Sequence, residues 1–179
     1  LGPASPGMGS EEVDRPDRLD FPFGYQNRFP AIRAVDMNND LPEPRLDFDG
    51  LNAFLDAAFP LEARANLGSL VEIAPGRVRM LLEPTAAMAR PGGIVSGPSL
   101  MALADIAAYA AIAAHYGPEP MAVTHNLSIS FLRACQFEAI HADARLLKLG
   151  RRLSTIDVRI WQGREDRLVA QATVGYAQP

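Results

Sequence analysis

One long apolar stretch dominates the hydrophobic pattern of the chain. Every residue of the segment 100–114 is apolar or aromatic except Asp105. The pattern predicts a helix over residues 97–116, which Gly117 ends in the usual C-terminal manner. The run is shorter than the roughly 20 residues that a membrane span needs and has a carboxylate at its middle, so we do not interpret it as one. Because it is apolar around nearly its whole circumference, we expect other structure to wrap it.

Segments of alternating apolar and polar residues lie on both sides of this run and predict β-strands. A shorter helix is predicted over residues 50–59, with Asp49 as its N-cap. The expected strands are residues 64–74 and 77–83, and then, after a loop over 84–96 and the long helix, residues 122–133, 138–149, 152–162 and 168–176. One helix against one face of about six antiparallel strands is an α+β fold, and its sheet edges favour self-association.

Charge and proline divide the chain at about residue 47. Residues 1–47 hold seven of the 15 prolines, nine acidic and five basic side chains, whereas residues 48–179 hold twelve of each charge, so the net charge of −4 comes from the first segment. We expect an acidic, proline-rich arm over 1–47, which docks on the fold or binds a partner, and one folded domain over 48–179. The even charge of that domain predicts neither a nucleic-acid surface nor a membrane surface.

Asp105 is the first candidate for chemistry, because an isolated ionised carboxylate is costly to bury. It is either a structural carboxylate that is hydrogen-bonded within a subunit contact or a functional group open to a cleft. The start of the predicted helix offers unpaired backbone N–H groups, and Gly97 lets a ligand approach them. Asp105 lies two turns further on, so we expect a two-fold dimer to bring Asp105 of one subunit near Gly97 of the other.

The remaining reactive residue types point to no further centre. Cys135 is the single cysteine and suits a reducing compartment, and with no signal-peptide pattern we expect a cytoplasmic protein. His115, His125 and His141 are too scattered for a metal site, so we expect none.

At this point the chain resembles a family of known proteins. The motif GxxSGPxxxxLAD at 93–105, VTHNLSISFLR at 123–133, LKLGRR at 147–152 and LVAQATV at 168–174 are similar to those of hotdog-fold thioesterases of the PaaI type. The resemblance implies a long central helix wrapped by a curved antiparallel sheet, with active sites between the subunits of a homodimer and, in many members, a homotetramer. It also implies hydrolysis of acyl-CoA without a metal or other cofactor.

The resemblance assigns roles to individual residues. Asp105 matches the catalytic carboxylate, which is a nucleophile or a general base, and the Gly97 N–H matches the group that polarises the thioester carbonyl. Thr124 matches a residue that holds the attacking water, and Ser96 stands where relatives have a catalytic His. The expected substrate-binding residues are Arg90, where relatives have Asn, with Gly93 and Pro98 at the helix start, and Gly150, Arg151 and Arg152 at a predicted turn.

Two other functions stay open beside acyl-CoA hydrolysis. The residues at positions 90 and 96 depart from the family pattern, so the chain is alternatively a non-catalytic binder of acyl-CoA or another lipid-like ligand. A hydratase or dehydratase on the same fold is a third hypothesis. The basic residues near Gly150, which include Arg145 and Lys148, either grip the CoA phosphates or form a solvated hairpin end.

Overall fold

The computed structural model describes residues 41–64, 66–118 and 121–179. Most of the predicted arm over 1–47 therefore lies outside the described residues, and the division at residue 47 stays a prediction. The elements are, in chain order, α1 (Phe48–Ala58), α2 (Leu61–Arg64), β1 (Ser69–Ala74), β2 (Arg77–Leu82), a 3₁₀ turn (Ala86–Met88), β3 (Ala89–Arg90), β4 (Ile94–Val95), α3 (Gly97–Tyr116), β5 (Val123–Phe131), β6 (Ile140–Leu149), β7 (Leu153–Trp161) and β8 (Leu168–Ala177).

Six of the strands form one antiparallel sheet in the order β1-β2-β6-β7-β8-β5. Helix α3 packs against one face of this sheet, chiefly on β2, β6, β7 and β8. The strands β3 and β4 form a separate two-stranded ribbon just before α3, inside the segment that the sequence predicts as a loop. The expected α+β fold with a long central helix across a six-stranded antiparallel sheet is confirmed.

The core between the sheet and α3 consists of apolar side chains at every second position of the strands. In β2 the buried residues are Val78, Met80 and Leu82, and in β7 they include Ile156, Val158 and Ile160. These side chains share one face because successive residues of a strand point to opposite sides. The opposing helix is rich in alanine, so the strands can approach it closely, and all residues from 106 to 115 are buried.

Helix α3 behaves as the core helix that the sequence predicts. Among the described residues it is the one helix long and apolar enough to cross a membrane, with a mean hydropathy of 1.4, yet 67% of that window is buried inside the fold. Ser96 precedes the helix as its N-cap residue, and Pro98 stands in the first turn, where its missing N–H costs nothing. Gly117 ends the helix at a φ of 119°, and its N–H donates to the carbonyl of Ala113 at 3.1 Å.

Two predictions for the segment before α3 are wrong. Helix α1 begins two residues early, because Asp47 and not Asp49 is the N-cap, and the Asp47 carboxylate accepts the Gly50 N–H at 2.8 Å. Asp49 lies inside the first turn instead, where a carboxylate also favours the helix dipole. The buried face of α1 is Leu51, Phe54 and Leu55.

The strand predicted over 64–74 begins only at Ser69. The first residue of that segment, Arg64, belongs to α2, and its guanidinium donates to Asp56 at 2.8 Å and to Asn52 at 3.2 Å, both on α1. Gly68 then adopts a φ of 81°, which extended strand residues do not have, so β1 begins after it.

The C-terminal end of α3 is tied to two neighbouring segments. The backbone N–H groups of Arg45 and Leu46 both donate to the carbonyl of Ala114, at 2.7 and 3.1 Å. His115 is 2% exposed; its Nδ1 lies 2.7 Å from the carbonyl oxygen of Ala111, and its Nε2 lies 3.0 Å from the Gly76 nitrogen and 3.1 Å from the carbonyl oxygen of Ala74. Burial lowers the pKa of His115 below its ordinary value of 6.5.

This arrangement predicts a pH-dependent stability. The unfolded chain binds a proton on His115 near pH 6.5, whereas the folded chain resists it, so the free energy of unfolding should fall as the pH drops below about 6.5. The slope contributed by one histidine is at most about 1.4 kcal/mol per pH unit. Urea unfolding at several pH values should give a shallower acid loss for His115→Gln than for the wild type. Parallel pH dependences in the two proteins would contradict the assignment.

Candidate functional site

The Asp105 carboxylate is partly exposed and is fixed by two hydroxyl groups. Thr124 Oγ1 donates to Asp105 Oδ1 at 2.7 Å, and the Tyr176 hydroxyl donates to the same oxygen at 2.8 Å. Within the described residues no hydrogen bond reaches Oδ2 of this carboxylate. One oxygen is therefore held by the sheet, and the other is available to a ligand or to water.

A β-bulge explains why Thr124 faces the helix. Leu127 and Ile129 on β5 pack on the core, so strict alternation would place Thr124 on the opposite face. The pairing of β5 with β8 shifts between Thr124 and Asn126, and the extra residue His125 reverses the parity. His125 itself is exposed and covers Gly175 on the other face of the sheet, where a Cβ at position 175 would lie 2.6 Å from its Nε2. His125 therefore does not face Asp105.

Tyr176 is the residue of this site that the sequence interpretation missed. It is 3% exposed, and its ring lies 6.0 Å from that of Tyr109, which in turn contacts Phe54 at 5.8 Å. Burial, and after it the negative charge of Asp105, raises the pKa of Tyr176 far above its ordinary value, so the phenol stays a donor. A buried tyrosine needs a hydrogen-bond partner for its hydroxyl, and a tyrosine in a predicted strand could have indicated such a contact. The identity of the partner depends on how β8 packs against α3, which the sequence does not give.

The start of α3 forms a second group of candidate residues. Ser96 is the N-cap residue, and its hydroxyl lies 2.8 Å from that of Ser99 instead of capping the helix. Gly97 opens the first turn, where backbone N–H groups have no acceptor within a helix. A Cβ at Gly97 would lie 3.2 Å from the ring of Phe131, so the β5 strand ends against this glycine.

Arg90 and Gly93 lie beside the same helix start. They belong to the turn of the β3–β4 ribbon, where the Gly93 N–H donates to the carbonyl of Arg90 at 3.2 Å and Gly93 has a φ of 69°. The Ser96 N–H donates to the carbonyl of Met88 at 2.8 Å, which ties the ribbon to α3. Arg90 and Pro98 are exposed, so both can reach a ligand at the helix start.

Within one protomer these two groups do not meet. Asp105 follows Gly97 by eight residues, so about 12 Å of helix axis separate them. A single carbonyl cannot contact both the Gly97 N–H and the Asp105 carboxylate of the same subunit. One subunit therefore contains both groups of the expected site, Asp105 and the Gly97 N–H, but holds them too far apart to act on one carbonyl.

The turn between β6 and β7 lies at the same end of the sheet as Asp105. Tyr176 pairs with Thr124 on one side and with Ser154 on the other, and Ser154 is the second residue of β7. Ser154 is therefore about two strand spacings, or roughly 10 Å, from Thr124, and the turn residues Gly150, Arg151 and Arg152 come just beyond this row. Both arginines are exposed, and a Cβ at Gly150 would lie 2.4 Å from the carbonyl oxygen of Leu153. The turn therefore needs glycine there.

Arg145 does not belong to that basic turn. Its guanidinium donates to Asp143 at 2.6 Å and to Glu165 at 3.3 Å, and the bond to Asp143 raises the pKa of Arg145. Asp143 is fully buried and is also approached by Arg79 at 3.2 Å. This ion-pair network covers the face of the sheet that points away from α3. Arg145 is thus already paired, and Lys148, Arg151 and Arg152 are the exposed basic side chains near Gly150.

The rest of the described structure offers no second candidate for a catalytic centre. Burial raises the pKa of the Cys135 thiol to about 11, which leaves it unreactive. A cavity of about 420 Å³ lies between α1 and the β1–β2 edge, but it is remote from Asp105, and the Arg64 guanidinium on its wall is already hydrogen-bonded within the protein. In the described part of the chain, no group of three or more His, Cys, Asp or Glu side chains could hold a metal ion.

Comparisons with known proteins agree with this architecture. A model of the thioesterase superfamily matches residues 92–170. Among solved structures, a protein from Silicibacter sp. TM1040 that is assigned as a thioesterase is 38% identical, with a TM-score of 0.69 over 78% of this chain and 96% of its own. A phenylacetic acid degradation-related protein from Ralstonia eutropha JMP134, also assigned as a thioesterase, is 27% identical, with a TM-score of 0.62 over 71% of this chain and 98% of its own.

The PaaI protein of the E. coli phenylacetic acid degradation operon shares the fold. It is 22% identical, with a TM-score of 0.59 over 72% of this chain and 92% of its own. No curated protein matches the sequence of this chain.

Proposed function

The chain belongs to the thioesterase superfamily, and from this premise we propose that it hydrolyses acyl-CoA thioesters to a free acid and CoA. One observation carries the proposal: a carboxylate on the central helix, Asp105, has one oxygen held by two hydroxyl donors and the other open. A fixed carboxylate with a free oxygen is what either nucleophilic or general-base catalysis requires.

The proposed reaction has two possible courses at Asp105. As a nucleophile, Oδ2 attacks the thioester carbonyl, the C–S bond breaks, CoA leaves as thiolate, and water then hydrolyses the acyl anhydride. As a general base, Oδ2 takes a proton from the water that attacks the same carbon, and that proton passes to the departing thiolate. Mass spectrometry of the Asp105 peptide after turnover in oxygen-labelled water tests for the first course, since label enters the carboxylate only when water attacks the Asp105 carbonyl carbon of the anhydride.

We place the oxyanion donor on a second copy of the chain. Strand β5 is the last strand of the sheet as described, and it ends beside exposed Phe131 and Leu132, with Met101 exposed on α3. Helix α3 and β5 run in opposite directions, because Gly97 lies near Phe131 and Asp105 lies near Thr124. If two β5 strands pair antiparallel about a two-fold axis near their middle, the partner's Gly97 approaches Asp105.

Such a dimer accounts for the remaining candidate residues. The Gly97 N–H would polarise the thioester carbonyl from the positive end of α3, with Ser96 beside it. Arg90 with Gly93 and Pro98 would border the substrate on that side. Arg151 and Arg152 at the β6–β7 turn would bind the CoA phosphates. A homotetramer of such dimers, which the family resemblance implies, stays a prediction.

A thiol-release screen tests the proposed function. Short, medium, long and aromatic acyl-CoA substrates are mixed with the protein, and free CoA is detected with a thiol reagent. The single cysteine of the chain is buried, so the background is low. We expect turnover with at least one acyl class. Tight acyl-CoA binding by calorimetry without thiol release from any class would instead favour the non-catalytic binder.

A further inference from the structure

The Tyr176 hydroxyl contacts Asp105 twice, which marks it as more than a packing residue. Its oxygen lies 2.8 Å from Asp105 Oδ1 and 3.2 Å from the backbone carbonyl oxygen of the same residue. A phenol has one proton to donate, and the shorter contact to a charged acceptor is the stronger hydrogen bond. The ring belongs to β8, whereas the carboxylate belongs to α3, so the contact joins the sheet to the helix at the candidate catalytic group.

The surroundings of Tyr176 hold this hydroxyl in one place. The side chain is 3% exposed, and its ring lies 6.0 Å from that of Tyr109 with a tilt of 34°. Its strand neighbours in the same row are Thr124 on β5 and Ser154 on β7. A buried ring between two paired strands cannot rotate away without opening the core, so the donor is preorganised.

The two hydroxyls together select which carboxylate oxygen can react. Thr124 and Tyr176 both donate to Oδ1, at 2.7 and 2.8 Å. Two donors on one oxygen fix the rotation of the side chain and draw charge toward that oxygen. Oδ2 is thereby turned away from the sheet and left without a hydrogen bond in the described part of the chain.

We propose that Tyr176 is a positioning residue for hydrolysis: its hydroxyl fixes the Asp105 side chain so that Oδ2 is the reacting oxygen. This proposal rests on the proposed function, in which Asp105 is the catalytic carboxylate. The titratable group that contacts Asp105 from the sheet is Tyr176 on β8, and the one beside Tyr176 on the helix is Tyr109. Thr124 on β5 is the other polar contact and does not titrate.

The Tyr176→Phe variant removes one oxygen and keeps the ring. We expect kcat to fall roughly ten- to hundred-fold with little change in KM, because a charge-assisted hydrogen bond is lost at the reacting group. A merely structural role would lower the stability of the variant without this fall in kcat of the folded protein at nearly constant KM.

Tyr116→Phe is the matched control, since Tyr116 ends the same helix three turns beyond Asp105. It should leave kcat and KM at wild-type values. An active wild type whose kcat is unchanged in Tyr176→Phe would overturn the proposal. If Tyr176→Phe does not fold, a fluorinated tyrosine at position 176 donates a stronger hydrogen bond to Asp105 and should move the carbon NMR signal of the Asp105 carboxyl group; an unmoved signal would overturn the proposal equally.

A measurement without turnover separates this proposal from the proposed function. The carbon NMR signal of the Asp105 carboxyl group, compared between the wild type and Tyr176→Phe at one pH, reports the hydrogen bonding of Asp105 directly. We expect this signal to move in the variant, whether or not any acyl-CoA is hydrolysed. If the wild type releases no thiol but the signal moves, the proposed function fails and the hydrogen bond stands. If the signal is unchanged, the role of Tyr176 fails regardless of activity.

Discussion

Replacing Asp105 with Asn is expected to reduce acyl-CoA hydrolysis by about 10³-fold or more. The amide has nearly the shape of the carboxylate, and its oxygen can still accept the hydroxyls of Thr124 and Tyr176, so the fold should persist. What is lost is the negative charge on the free oxygen, which both proposed courses of the reaction need. The measurement is kcat of thiol release with the best substrate from the acyl-CoA screen, together with a thermal unfolding curve.

Asp166→Asn is the control for this substitution. Asp166 is 67% exposed in the loop before β8 and pairs with Arg164 at 2.6 Å, away from α3. It should retain wild-type turnover. If Asp105→Asn were folded and hydrolysed the substrate as fast as the Asp166→Asn control, Asp105 would be only a structural carboxylate, the alternative that the sequence leaves open.

The second large effect is expected at Gly97, where the proposed oxyanion donor is a backbone N–H. Gly97→Pro removes this N–H at a helix position that tolerates proline. Gly97→Ala keeps it. Both variants add a Cβ about 3.2 Å from the ring of Phe131, so both disturb this contact. We expect Gly97→Pro to lose about 10²- to 10³-fold in kcat relative to Gly97→Ala, as removal of an oxyanion-hole donor does.

If both folded Gly97 variants are as active as the wild type, the N–H does not act on the carbonyl. If both lose the same amount of activity relative to the wild type, the effect comes from the contact with Phe131 instead. The comparison therefore separates the electrostatic role of the glycine from its role in bringing β5 close to the start of α3.

The sequence predicts the central helix well because its signals are local and agree with one another. The apolar run, the start of the helix at Gly97, Pro98 in the first turn and Gly117 at the end all act within one element. The later strands are also found within two residues of their predicted bounds, since alternation and turn residues mark them. The eight-residue separation of Gly97 and Asp105 follows from helix geometry alone.

The failures occur where local signals are ambiguous or too short to detect. Asp47 and Asp49 are equivalent as local N-cap candidates, and only the backbone entering α1 decides between them. Arg64 reads as part of a strand until the hydrogen bonds of its guanidinium to α1 are known. The prediction of a plain loop over 84–96 missed the β3–β4 ribbon because each strand has only two residues.

The residues of the candidate site likewise differ in whether a local sequence signal identifies them. Asp105 stands out in sequence because it is a lone charge in an apolar helix. Tyr176 does not, because its role depends on the register of β8 with β5 and β7 and on how α3 crosses the sheet. The side of β5 that Thr124 occupies depends on a bulge at His125, and alternation alone places Thr124 on the wrong face.

In the proposed dimer, each active site takes Asp105 from one subunit and the Gly97 N–H from the other. Mixing Asp105→Asn and Gly97→Pro chains, each nearly inactive alone, tests it most directly. After unfolding and joint refolding, a mixed dimer has one site with both groups intact, so about a quarter of wild-type activity should return at equal amounts. Size-exclusion chromatography confirms that mixed dimers form. Mixed dimers that show no more activity than the two separate variants would contradict the shared site.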